Sequence, residues 1–209
     1  MINYETDEER AEAIKKWWKE NGSSVILGAG IGLAAIFGWR AWIDYRESTA
    51  QQASAAFERL LANTDSGTTR SALTQSKLLR EEFSSTVYAT LAALVQARIE
   101  LEAGNLAGAR GALEQAITDS PDPGLMRIAA LRLIRVLIAE GDLARAAALV
   151  AKHDDGAGFG GAFATLRGDI AAARGRTPDA RAAYEQALTT GAPNPDQVRM
   201  KLANLPPES

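Results

Sequence analysis

The stretch Val25 to Ile43, VILGAGIGLAAIFGWRAWI, limits what this chain can fold into more than any other part of it. Its only charge is Arg40, near the far end. The 19 residues from Asn21 to Trp39 are uncharged. At about 1.5 Å per residue a helix of that length is roughly 28 Å long, enough for the hydrocarbon core of a bilayer. Trp17 and Trp18 precede the stretch and Trp39 and Trp42 close it, which suits indole rings at two headgroup levels. Arg40 is close enough to the end to extend its head outward. A cleaved signal peptide would need a basic leading region and small residues at the cleavage point. Here Glu5, Asp7, Glu8, Glu9 and Glu12 precede the stretch, and Trp39, Arg40 and Trp42 stand where small residues would be required. The length and the flanking tryptophans also argue against a buried core helix. The sequence predicts an uncleaved single-pass anchor over 22–43, preceded by an amphipathic segment over 1–21.

In that first segment Ala13, Ile14, Trp17 and Trp18 form an apolar face, and Thr6 with Glu9 has the spacing of a capping box. Asn21-Gly22 is expected to end this helix, with Ser23 or Ser24 capping the next. Gly28 and Gly32, like Gly30, Ala34 and Gly38, recur every fourth residue. Small residues at that spacing form a stripe on which a second membrane helix can pack, though glycine is also common in membrane helices for no such reason. Arg10, Lys15, Lys16 and Lys19 lie before the anchor, against Arg40 and Arg46 after it. That excess predicts a cytoplasmic N-terminus and places 44–209 outside the cytoplasm, in the periplasm of a Gram-negative cell.

Beyond the anchor no segment alternates like a strand, so an all-α domain follows. The helix is expected to continue to about Leu61, and helices are expected over Ser71–Phe83, Leu91–Leu101, Leu106–Ile117, Leu125–Ala139, Leu143–Lys152, Phe163–Arg174, Pro178–Thr190 and Asp196–Leu205. Gly104, Gly141 and Gly175 recur at spacings of 37 and 34 residues, the period of tetratricopeptide repeats. Five residues after each stands Ala109, Ala146 or Ala180, and four further on Leu113, Val150 or Tyr184. Ala116 and Ala187 complete two of the units, while His153 takes that place in the middle one. Residues 54–83, with Gly67 at the turn and Ala72 five later, fit a degenerate first unit.

Chemistry is scarce. The formal net charge is −3 and there is no cysteine, which excludes disulfides and thiolate sites, and no basic domain points to nucleic acid. His153 is the one histidine. It could be drawn with Asp154 and Asp155 as a site, or as a partner of a helix C-terminus. Gly156, Gly158, Gly160 and Gly161 follow a helix and lack the Gly-Lys-Ser/Thr ending of a phosphate loop. No catalytic constellation, metal site or cofactor is predicted.

The residues do resemble a known family. TDEERAEAIKKWWKENG, the glycine-rich span ending GWRAW, and Ser54 to Phe57 begin the likeness. Tyr88 to Leu113, Leu131 to Val150 and Leu166 to Leu188 continue it. Together they are similar to the ancillary SecYEG translocon subunit family, with its tetratricopeptide-like domain, over nearly the whole chain. The resemblance implies an inner-membrane protein with a periplasmic repeat domain. It also implies association with SecYEG-type translocon subunits and with a membrane-anchored periplasmic chaperone of the prolyl-isomerase type. The expectation is a non-enzymatic interaction module handling client polypeptides. The alternative is a repeat scaffold for another envelope complex, such as outer-membrane assembly.

In tetratricopeptide stacks the first helix of each unit lines the concave face. Counting back from Gly104 and Gly141 places Leu91, Leu94, Arg98 and Leu101 there in one unit, and Ile128, Leu131, Arg135 and Ile138 in the next. The two arginines fall at equivalent places among aliphatic residues. Such a face suits a peptide carrying apolar side chains and a carboxylate, unless the chain's own segment Asp196–Leu205 covers it.

Overall fold

The computed structural model describes residues 7–156 and 158–207 and divides into two compact units, Met1–Ser48 and Thr49–Ser209. Among the described residues the regular elements are all α-helices. These are α1 (Asp7–Asp65), α2 (Thr69–Glu82), α3 (Val87–Glu102), α4 (Leu106–Asp119), α5 (Pro123–Glu140), α6 (Leu143–His153), α7 (Gly160–Ala173), α8 (Thr177–Thr189) and α9 (Pro195–Ala203).

α1 runs for 59 residues and passes through Asn21-Gly22, where the sequence predicts a break. The Asn21 side chain does not cap a new helix; its Nδ2 donates to the Trp17 carbonyl one turn back, at 3.1 Å. The Trp18 indole lies over Gly22, where an added Cβ would meet it at 3.3 Å. A glycine inside a helix costs about 1 kcal/mol relative to alanine, which a long apolar helix tolerates. Ser23 and Ser24 are therefore interior to α1. The cap expected from Thr6 lies outside the described residues.

The apolar stretch of α1 is long enough to cross a membrane. In the first unit Ile26, Leu27, Ile31 and Phe37 are each 63–67% exposed. A core helix of a soluble domain would have these side chains covered by its own chain. Here they are left open, as the side chains of a bilayer-spanning helix are. The Trp17 and Trp18 rings lie tilted to each other at 6.5 Å between centroids, and those of Trp39 and Trp42 at 5.1 Å. Trp18 and Trp39 are separated by about 32 Å of helix at 1.5 Å per residue, close to the hydrocarbon thickness. The Arg46 guanidinium sits 4.9 Å from the Trp42 ring centroid, a cation–π contact that holds a charge at the end of the span.

The second unit is a stack of helix pairs. Gly67, Gly104, Gly141 and Gly175 stand between the two helices of successive pairs with φ of +73°, +75°, +81° and +72°. That left-handed turn carries no steric penalty for glycine. Five residues on, Ala72, Ala109, Ala146 and Ala180 are all fully buried, because the second helix crosses the first too closely there for a larger side chain. At nine residues on come Ser76, Leu113, Val150 and Tyr184, and at twelve Leu79, Ala116, His153 and Ala187, all buried. Residues 54–83 thus form the first unit, in register with the other three. Its Ser76 replaces a large apolar residue and compensates by donating to the Ala92 carbonyl of α3 at 2.9 Å.

Each junction has its own apolar cluster. Ala53, Leu60, Ala72, Leu79, Ala92 and Ile99 join the first two units. Leu113, Leu133, Ile134, Leu137, Phe163 and Leu166 fill the centre. Ala164, Tyr184, Ala187 and Val198 close the end under α9. Two glycines permit that last packing: a Cβ on Gly161 would lie 2.4 Å from the Gly191 carbonyl carbon, and one on Gly168 would lie 2.3 Å from the Tyr184 ring.

A candidate interaction face on the first helices

The two carboxylates that follow α6 are engaged in structure. Asp154 pairs with Arg167 of α7 and Asp155 with Arg127 of α5, so both carboxylates tie the loop to the stack. His153 makes no ion pair with either. It is the last residue of α6, 6% exposed, in the place that alanine takes in the flanking units, and its Nε2 has no hydrogen-bond partner. Burial pushes its pKa down, and the charges of Lys152 and Arg127 add to that against Asp155. The sequence places His153 at a helix C-terminus, and it does end α6, but there the imidazole fills core. Among the described residues no group of three potential ligands converges on a metal position.

The first-helix face has a different character. Leu94 and Leu131 are 5% and 6% exposed and belong to the central cluster, with Leu91, Ile128 and Ile138 half-buried against it. Arg98 and Arg135 are exposed, and Leu101 is 41% exposed. The face thus consists of exposed cations and Leu101 over an aliphatic base, with Leu94 and Leu131 supplying rigidity. Arg98 Nε bonds Glu102 one turn on at 2.8 Å, between side chains that are both well exposed. An exposed pair of that kind holds the arginine only weakly.

The C-terminal helix does not close this face. Val198 of α9 is buried among α7 and α8 residues, and Lys201 Nζ binds both carboxylate oxygens of Asp169 at 2.6 and 2.7 Å. Asp169 is the fourth unit's counterpart of Arg98 and Arg135, six residues before the turn glycine. It also accepts from the Tyr184 hydroxyl at 2.8 Å. Burial, and then that bond, raise the tyrosine pKa. The same register position is Leu61 in the first unit, 41% exposed. Leu61 and Arg132 both belong to this face and escaped the sequence reading. Leu61 is legible once 54–83 is accepted as a unit. Arg132 lies one residue off the stripe that defined the face, beside Leu131.

In the anchor, a Cβ on Gly28, Gly30, Gly32 or Gly38 would meet nothing within 4 Å. These positions are open on α1.

A membrane-spanning helix and a stack of glycine-turned helix pairs define the class: an all-α, anchored, tetratricopeptide-like repeat protein. Consistent with this, the family model of tetratricopeptide repeat-like domains matches residues 15–207. Three relatives are each named "Ancillary SecYEG translocon subunit". The Haemophilus influenzae protein is 32% identical over 95% of this chain and 97% of its own length. The Escherichia coli protein is 29% identical over 98% and 99%. The Aggregatibacter actinomycetemcomitans protein is 32% identical over 95% and 97%. The chain belongs to the ancillary SecYEG translocon subunit family.

Proposed function

We propose that this chain is a non-enzymatic, inner-membrane-anchored interaction module that associates with the protein-export translocon and helps handle polypeptides as they emerge. The observation that carries the reading is that relatives named for the SecYEG translocon align over anchor and repeat domain together. The N-terminal segment 1–21 is cytoplasmic, 22–43 is the span, and 44–209 is periplasmic, following the excess of Lys and Arg before the span. In the periplasm its partners are client polypeptides and a membrane-anchored chaperone of the prolyl-isomerase type. Anchoring supports this role physically. A tether turns a weak contact between domain and client into an effectively intramolecular one. Clients dock on the first-helix face, over Leu94, Arg98, Leu101, Leu131, Arg135 and Ile138, and Gly28 and Gly32 take a partner membrane helix.

Mild cross-linking in intact membranes followed by purification of the chain tests the reading. Recovery of translocon subunits with the chaperone is the expected result. Recovery of an outer-membrane assembly complex in their place would instead make the chain a scaffold for that machine.

A further inference from the structure

Three cations crowd one part of the first-helix face. Arg132 and Arg135 lie one turn apart on α5, and Arg98 holds on α3 the register position that Arg135 holds on α5. α3 and α5 pack against each other, so equivalent positions on them are neighbours. Among the described residues no acid lies within ion-pairing distance of Arg132 or Arg135. The one pairing carboxylate near the cluster is the exposed Glu102 on Arg98, and Asp65 acts on Arg98 from farther away. The Arg132 guanidinium is held below its ordinary pKa first by partial burial and then by the charges of Arg135 and Arg98. Like charges held this close, with one weak counter-ion, repel each other, and folding has left them unneutralised. Elsewhere the stack pairs its cations across helices, as Arg110 with Glu140, Arg145 with Glu114 and Lys201 with Asp169 show.

We infer that Arg98, Arg132 and Arg135 form one anion site that binds a carboxylate of a docked polypeptide, while Leu61 and Leu101 take its apolar side chains. The guanidinium fork matches a carboxylate with two parallel N–H···O bonds. Leu61 on α1 and Leu101 on α3, one turn from Arg98, are each 41% exposed, so a segment is held with its acid toward α5 and its apolar residues toward α3 and the end of α1. This rests on the reading of the first-helix face as a client surface, and adds to it which clients are preferred.

Binding of labelled peptides to the full-length protein in detergent micelles, followed by fluorescence anisotropy, tests both. The probe is a short peptide with leucines at helical spacing, two glutamates and a free C-terminus. Its control replaces both glutamates by glutamine and amidates the terminus. The acidic peptide is expected to bind about tenfold or more tightly than the control at low salt, with the gap narrowing as salt rises. In Arg132→Gln/Arg135→Gln the gap should close while the melting temperature stays level or rises, because repulsion is relieved. Two further peptides, each keeping one source of carboxylate, assign the site to side chains or to a chain terminus. Equal binding of both peptides to the unmodified protein overturns the inference without needing the variant, and leaves the client face standing. A gap that survives the double substitution does the same. If neither peptide binds, the client face falls as well. If added phosphatidylglycerol, rather than the acidic peptide, is what loses affinity on substitution, the site serves lipid headgroups and the polypeptide assignment is wrong.

Discussion

His153 shows how much one substitution in a repeat can matter. The folded protein buries an imidazole where alanine sits in the units on either side, and its Nε2 has no partner. Its pKa is lowered by burial, with Lys152 and Arg127 acting in the same direction and Asp155 against them. Between the folded pKa and the unfolded value of about 6.5, the unfolded chain therefore binds more protons than the folded one. Stability must rise with pH across that window, and must fall as pH drops below about 6.5. The loss ends once pH passes below the folded value. Melting curves of the parent and His153→Ala between pH 5 and 8 should differ by this slope, which the variant loses. The register of the repeat marks His153 as an exception, but its burial depends on the helices α5 and α7 that pack against α6, and no local pattern reports that. Glycines pose the same problem. Gly161 reads as the end of a Gly-rich stretch between helices, yet its Cα packs directly on the Gly191–Ala192 backbone. Gly161→Ala should lose about 2–3 kcal/mol in denaturant unfolding, whereas Gly160→Ala, whose Cβ would meet only Thr190 at 3.9 Å, should be near neutral.

At the scale of elements, helix positions and the turn glycines were legible because each unit repeats one physical problem: a tight crossing, with a left-handed turn before it. The continuity of α1 was not, since Asn-Gly normally punctuates and nothing local shows that Trp18 covers Gly22. The exposed face of α1 was legible as an anchor by length and composition, and its lack of any cover within the chain agrees. Gly28→Leu with Gly32→Leu should leave insertion intact but remove co-purifying membrane partners, if the open stripe receives another helix; unchanged partners would assign binding to the repeat domain. α9 makes a separate prediction. Val198 is 2% exposed and Lys201 neutralises Asp169. Truncation after Ala192 should therefore uncover Tyr184 and Ala187 and lower the melting temperature of the domain by several degrees, the size expected for losing about 1–2 kcal/mol.

For the whole molecule, the first-helix face is where sequence and structure diverge most usefully. Helical phase placed eight residues on one face, but packing divides them: Leu94 and Leu131 are core, and Arg98, Leu101 and Arg135 are open. Phase gives direction and cannot give depth, because depth is set by the neighbouring units. A periplasm-only reporter fused after Ser209 should be active and the same reporter before Ile2 inactive, as the charge excess ahead of the span requires. Contact between this face and polypeptides beside the translocon is the central claim. A photo-reactive amino acid at Leu101, compared with one at the exposed Ala182 on α8, reads that contact in living cells. The account predicts adducts with exported polypeptides from position 101, weak or none from 182, and translocon subunits in the same purified complex. Equal adducts from both positions, or adducts from 101 with no translocon subunit present, would contradict it.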